Sequence, residues 1–167
     1  ETELTGKFEK LEDGTYGYLG TVKTTHLDGR KDKGEYGRRS DGSYGYLGNV
    51  TTSYPDGRMG LMDSNGVLRI GHVREYSNGK QFFSGHVITE YPDGTKLEGD
   101  FYEYRPGVVA YKGAVTKTLA DGTVIQGNYD KYKSGIFGFK GMVKTTRKDG
   151  TILSGQYKFY KHGEPNY

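Results

Sequence analysis

Four histidines, His26, His72, His86 and His162, are the side chains here best suited to proton exchange near neutral pH or to binding a transition metal. The repeat described below places His72 and His86 on neighbouring strands, close to opposite one another. A metal centre needs three or four converging ligands, held in turn by an outer set of hydrogen bonds. No third ligand is spaced to join these two, and both are read as solvated. The chain has no cysteine, which excludes disulfides, zinc-thiolate sites and cysteine nucleophiles. Serines are few and the histidines fall on regular strands or loops, so no Ser/His/Asp arrangement can be assembled. Asp-Gly pairs stand at Asp13-Gly14, Asp28-Gly29, Asp41-Gly42, Asp56-Gly57, Asp93-Gly94, Asp121-Gly122 and Asp149-Gly150. A calcium loop needs several acidic oxygens within about twelve residues, and each pair brings one. No glycine run precedes a helix to cradle a phosphate, and paired glycosidase carboxylates need a cleft that a flat sheet lacks. The chain is read as non-enzymatic, without catalytic residue, metal or cofactor.

The chemistry that remains is recognition. With 16 tyrosines and 7 phenylalanines but a hydrophobic fraction of only 32%, the apolar material is thin and largely aromatic. Phe8, Tyr18, Tyr36, Tyr46, Phe83, Phe101, Tyr111, Tyr129, Phe139 and Tyr157 recur at corresponding places and form a candidate interaction face. Such a row can stack sugar rings or bases, or cover glycines as a minimal core. Balanced charge, with 24 basic and 21 acidic residues, gives no clustered basic footprint for nucleic acid and no strong patch for a membrane surface.

The positions of these residues follow from a repeat. Turn glycines alternate at spacings of 15 and 13 residues, which makes a 28-residue unit of two unlike halves. The longer half reads aromatic-x-Gly-x-Val-x-Thr, as in Tyr18-Gly20-Val22-Thr24, with Lys117 in place of threonine in one copy. The shorter half reads Leu/Ile-x-Gly-x-aromatic, as in Leu97-Gly99-Phe101, with degenerate copies at Asp32-Gly34-Tyr36 and Arg69-Gly71-Val73. Alternation at every second residue is strand periodicity, and no segment carries a helical period with caps. The fold class is therefore all-β: an elongated, open antiparallel meander of about eleven strands, spanning residues 1–167 as one array. The period breaks once, at residues 58–66, where Met59, Leu61 and Met62 mark a candidate interaction loop or a small extra hairpin.

Three-residue loops with glycine in the left-handed region suit the Asp-Gly turns. Around Pro92-Asp93-Gly94 such a loop pairs Val87 with Gly99 and Gly85 with Phe101. The other Asp-Gly turns pair Val115 with Gly127, Gly113 with Tyr129, Val143 with Gly155, and Gly141 with Tyr157. The alternate turns, around Gly42, Gly107 and Gly135, bring Tyr36 beside Tyr46, Phe101 beside Tyr111 and Tyr129 beside Phe139. One register is expected to satisfy both sets, with aromatics resting over glycines. One face then holds aromatics, Val, Leu and Gly, and the other mostly Lys, Glu, Asp, Asn, Gln and Thr.

The run Asp121-Gly122, Gly127-x-Tyr129, Gly135, Gly141, Asp149-Gly150 resembles MORN repeats (membrane occupation and recognition nexus), as does Asp149-Gly150, Gly155-x-Tyr157, Gly163. The family period is shorter, and Glu98, Gln126 and Ser154 stand before the core glycine where the family has tyrosine. The resemblance implies an elongated meander used for scaffolding, dimerisation or protein binding, with a lipid-binding role suggested for the family.

The expected function is a structural or scaffold protein that self-associates or binds a protein partner. The expected partner is a second copy, in a dimer or filament, or another protein. Nucleic acid is not expected, and membrane contact is at most peripheral. The alternative is a module binding carbohydrate or a lipid headgroup on the aromatic face. Open edges near Leu4–Leu11 and Thr151–Tyr160 favour the first reading, with Lys158 and Lys161 guarding the last edge. The start at Glu1 implies a processed or trimmed form, and the compartment stays open; the sequon Asn49-Val50-Thr51 matters only in a secretory pathway.

Overall fold

The computed structural model describes residues 2–76 and 78–157. Its strands are β1 (Glu3–Lys10), β2 (Tyr16–Thr25), β3 (Lys31–Arg38), β4 (Tyr44–Ser53), β5 (Met59–Met62), β6 (Leu68–Glu75), β7 (Gln81–Glu90), β8 (Lys96–Arg105), β9 (Val108–Thr118), β10 (Val124–Lys131), β11 (Phe137–Thr146) and β12 (Ile152–Tyr157). All twelve form one open antiparallel sheet in chain order, and the described residues contain no helix. The expected meander is what forms. The strand beyond the expected count is β5, so the interrupted stretch 58–66 is a short strand and its turn rather than a loop. The turn glycine Gly163, with His162, Lys158 and Lys161, lies outside the described residues.

The turns form as their residues dictate. In the Asp93-Gly94 hairpin the Tyr91 amide donates to the Thr95 carbonyl at 2.8 Å and the Gly94 amide to the Tyr91 carbonyl at 3.0 Å. The Asp93 carboxylate accepts the Thr95 amide at 2.8 Å, and Gly94 has φ +85°, a conformation that costs glycine little. The same closure recurs from Leu11–Thr15 to Arg147–Thr151. The exception is Pro106-Gly107. There Arg105 pairs directly with Val108, giving a two-residue loop instead of three, and the Gly107 amide donates to Glu103 Oε1 at 2.9 Å.

By contact density the chain divides into two units, Glu1–Ile70 and Gly71–Tyr167. In the second unit, each pairing expected from the Asp-Gly turns is present: Val87 with Gly99 and Gly85 with Phe101, Val115 with Gly127 and Gly113 with Tyr129, Val143 with Gly155 and Gly141 with Tyr157. Phe101 also faces Tyr111 and Tyr129 faces Phe139. A single unbroken register does not hold, however. Between Gly99 and Phe101 the partner strand slips by two residues, so that Gly99 faces Val115. Continued without the slip, the Phe101–Tyr111 register would set Gly99 against Gly113, two residues with no side chain to pack. The bulge replaces that pair with glycine against valine. Gly113, at φ +82°, absorbs the extra backbone, and Gly85 and Gly141 take the same conformation at their equivalent places. The result is one continuous row, Val87, Gly99, Val115, Gly127, Val143, Gly155, running across β7 to β12.

The first unit repeats the device. Val22 faces Gly34, which faces Val50, which faces Met62, and Tyr36 faces Tyr46 as expected. Val22, Val87, Val115 and Val143 are all buried. Full burial of a valine contributes roughly 1.5–3 kcal/mol, so these rows are the backbone of the core in both units.

Candidate functional site

A one-layer sheet buries these valines because the aromatic of each long strand lies flat across the short strand beside it. A Cβ added to Gly127 would meet Phe139 Cδ1 and Val143 Cγ2, both at 3.1 Å. Tyr111 lies over β8 and reaches β7: its Oη is 3.2 Å from the Leu97 carbonyl, 3.2 Å from the Val87 carbonyl and 2.7 Å from Thr89 Oγ1. In the first unit Tyr46 does the same, with Oη 2.6 Å from Thr24 Oγ1. Thr24, Thr52, Thr89 and Thr145 are buried, which corrects the expectation that threonines belong mostly to the solvated face. The Thr24 and Thr89 hydroxyls meet those of Tyr46 and Tyr111, and the Thr52 hydroxyl donates to the Asp32 carboxylate at 2.6 Å.

This places the aromatics of the candidate face. Phe83, Tyr111 and Phe139 are buried. Tyr18, Tyr36, Tyr46, Phe101, Tyr129 and Tyr157 are half-buried, and Phe8 is exposed. Burial pushes the Tyr129 hydroxyl up to about 12 and raises that of Tyr46, against the pull of its bond to Thr24.

A second tyrosine series, not legible in the motif, stands seven residues ahead of the long-strand aromatics. Tyr76 donates to the Phe83 carbonyl, Tyr104 to that of Tyr111 at 3.0 Å, and Tyr132 to that of Phe139. In the first unit the buried Leu11 holds this place ahead of Tyr18 and Arg39 holds it ahead of Tyr46, with Nε 3.4 Å from the Tyr46 carbonyl. Two further departures lie close by. Asp32 replaces the Leu97, Ile125 or Leu153 of other copies, and Arg30, like Arg58 in the next copy, stands where later copies have Thr95, Thr123 or Thr151 after the turn glycine.

All three departures line one hollow of about 320 Å³, with Tyr46, Gly48, Val50, Thr52, Tyr54, Met62 and Leu68. The hollow exists because β5 pairs only with the Val50–Ser53 end of β4. Of the candidate loop residues, Met62 reaches this hollow; Leu61 and Met62 are exposed, and Met59 is half-buried. Asp32 is held within it by His26 Nε2 at 2.7 Å and by Thr52. The carboxylate stands in the middle of this His-Asp-Thr chain, so the histidine cannot act as base toward the threonine. Arg30 is tied to Asp28 at 2.7 Å, whereas Arg39 is exposed. The hollow thus has an apolar side at Val50, Met62 and Leu68, a bonded carboxylate at Asp32, and guanidinium groups at Arg30 and Arg39.

In the second unit, the opposite face bears an open trough lined by His86, Glu98, Asp100, Thr116, Gln126, Asn128 and Met142. His86 Nε2 lies 3.0 Å from Glu98 Oε1 and its Nδ1 3.6 Å from Asp100 Oδ1, and the His86 contact holds the Glu98 carboxyl below its ordinary range. Among the described residues no group of three or more histidine, aspartate or glutamate side chains is placed to hold a metal ion. Among them, too, no helix is long and apolar enough to cross a membrane.

No protein-family model matches the chain, and no curated protein matches it. Solved structures show distant likeness. The TCP domain of SAS-4 (dCPAP) from Drosophila melanogaster, in complex with a proline-rich motif of Ana2 (dSTIL), is 12% identical with a TM-score of 0.40, over 90% of this chain and 88% of that one. The TCP10 domain of Danio rerio CPAP, in complex with a peptide of Danio rerio STIL, is 17% identical with a TM-score of 0.32, over 93% of this chain and 84% of that one.

Proposed function

We propose that this chain is a non-enzymatic, protein-binding scaffold with MORN-like repeats, and that the first unit carries its recognition site. One observation supports this above the others. Asp32 and Arg39 depart from the residues that the later copies keep at their places, and with Arg30 they meet around one hollow with Met62 and Leu68 of the interrupted repeat. Irregular additions to a regular scaffold are where binding concentrates, and methionine adapts its shape to a bound side chain. Arg30 is paired with Asp28 and Asp32 with His26 and Thr52, which leaves the exposed Arg39 guanidinium to recognise an anionic group, and arginine recognises carboxylates through paired donors. The occupant is therefore an extended segment of a partner protein that sets an apolar side chain against Val50, Met62 and Leu68 and a carboxylate at Arg39.

The test is selection from a random-peptide library against the immobilised chain, followed by titration of the enriched peptide. The reading expects sequences that place Asp or Glu near an apolar residue, with affinity falling at least tenfold on Arg39→Glu or Met62→Asp. Enrichment of basic sequences, or affinity untouched by both substitutions, would overturn it.

A further inference from the structure

Tyr102 departs from the repeat on the solvated face. It follows Phe101 on β8, so its side chain leaves the sheet on the side opposite that ring. Other copies carry Glu9, Gly37, Arg74 and Asp130 at this place, so the sheet forms without an aromatic there. Tyr102 is 52% exposed and takes no part in the rows of valine and glycine.

The ring is one wall of a corner. Tyr104, also on β8, stands against it with centroids 5.5 Å apart and planes at 86°. Tyr104 is itself held in place. Its hydroxyl donates to the Tyr111 carbonyl at 3.0 Å, and its ring meets that of Phe137 at 5.0 Å and 65°. Lys112 of β9 reaches into the corner, with Nζ 4.2 Å from the Tyr102 centroid and 5.3 Å from that of Tyr104. Both distances fall inside the roughly 6 Å range of cation–π attraction. Next to the rings, the Asp130 carboxylate lies 3.3 Å from the Tyr104 hydroxyl and 3.8 Å from the Lys140 ammonium.

We propose that the Tyr102–Tyr104 corner binds the N-methylated ammonium of a lysine on a partner polypeptide, with Lys112 as its resting occupant. The corner already accepts a lysine ammonium, so a lysine from another chain suits it in both stem and head. An unmodified lysine has no advantage over Lys112, which is tethered beside the rings at high effective concentration. Methylation supplies the advantage. It keeps the positive charge, loosens the head's hold on water, and lets methyl groups meet the ring faces that attract the cation. Lys112 is exposed and can release its ammonium to solvent. The exchange then replaces one cation by another and leaves the charge beside Asp130 and Lys140 unchanged. A phosphocholine headgroup shares the quaternary ammonium, but it carries a phosphate that the Asp130 carboxylate repels. The corner lies in the second unit, and the inference does not rest on the Arg39 hollow.

The experiment titrates N-acetyl-Nζ-trimethyllysine methylamide into the isotopically labelled full chain and follows the side-chain resonances of Tyr102, Tyr104 and Lys112. All three are expected to shift. The unmethylated probe should bind about tenfold more weakly, and so should a neutral analogue with carbon in place of the ammonium nitrogen. Tyr102→Leu keeps apolar bulk without a π face, and should weaken binding about three- to thirtyfold. Lys112→Ala vacates the corner and should strengthen binding about two- to tenfold, because the competent state no longer has to be freed first. Equal binding of the neutral analogue, weaker binding to the Lys112→Ala variant, tighter binding of phosphocholine, or shifts that miss Tyr102 would each overturn the proposal.

Discussion

The hydroxyl of Tyr111 lies 2.7 Å from Thr89 Oγ1, on a strand two removed from its own. It thereby closes a bridge over β8, where its ring meets the Phe101 ring at 4.6 Å and 89°. Three strands are tied by one side chain. A sheet without a second layer needs such ties, because cross-strand contacts alone contribute roughly 0.2–1 kcal/mol each. Tyr111→Phe should therefore cost about 1–3 kcal/mol, the range for leaving a buried hydroxyl without its partner. Thr89→Val should cost a similar amount, and the double variant less than the sum. Urea unfolding of the four proteins measures this; strict additivity would show that the pair does not couple.

The two classes of strand glycine should respond differently to alanine. Gly99 sits in ordinary extended backbone, where an added Cβ would meet the Ala114 carbonyl oxygen and Val115 Cγ2, both at 2.8 Å. Gly113 has open space around it but φ +82°, so its penalty is conformational, of order 1–3 kcal/mol. Gly99→Ala must move backbone as well as a side chain and should destabilise more than Gly113→Ala. D-alanine, placed at each position by chemical ligation, separates the causes: it should restore stability at Gly113 and not at Gly99.

Asp32 gives a test of how the first unit accommodates a carboxylate in an apolar row. Asp32→Leu restores the residue type of other copies, yet it strips Thr52 and His26 of their acceptor. It should cost about 1–3 kcal/mol alone, and Thr52→Val added to it should recover most of the loss. Thermal unfolding distinguishes this from the opposite outcome, in which leucine alone stabilises the protein.

Stability should fall at both extremes of pH, for different groups. The carboxyls of Asp13, Asp28, Asp41, Asp93, Asp121 and Asp149 are lowered, by the Thr15 hydroxyl and amide at Asp13, the Ser43 hydroxyl at Asp41, and chiefly by the backbone amide two residues on at the others. A depressed folded value gives stability present above the unfolded value of 3.8, lost as the pH falls through the folded one. Asp121→Asn should flatten its share of that acid loss. Tyr129, protonated to about 12 through burial, contributes stability that is complete below 10.0 and disappears between 10.0 and about 12. Phenolate absorbance recorded alongside unfolding should show the two rising together in that window.

The Asp-Gly turns were legible from residues alone, because the pair specifies its own geometry. The turns also set the local pairings, down to Gly141 against Tyr157. The bulges were not legible. A slip of two residues leaves a period-two pattern unchanged, and its signal was indirect: the short-turn register, continued, set glycine against glycine. The burial of Thr24 and Thr89 was hidden for a related reason, since their hydroxyl partners lie about 22 residues away across an intervening strand. The hollow was the least legible. Met62 was marked by the broken period, but Arg30 and Arg39 looked like ordinary charged residues beside turns. Only the shortness of β5 shows that they share a space.

The chain-order sequence of the strands has a kinetic consequence. Sheets usually assemble slowly, because their pairings join distant parts of the chain and loop closure must precede any gain. Here β2 meets β1 and β3, and β9 meets β8 and β10, so adjacent pairings close short hairpin turns. Such an array can nucleate at whichever hairpin forms first and then grow outward one strand at a time. The chain should therefore refold faster than sandwiches of equal length. Substitutions in the best-formed hairpins should slow that step more than substitutions near β1.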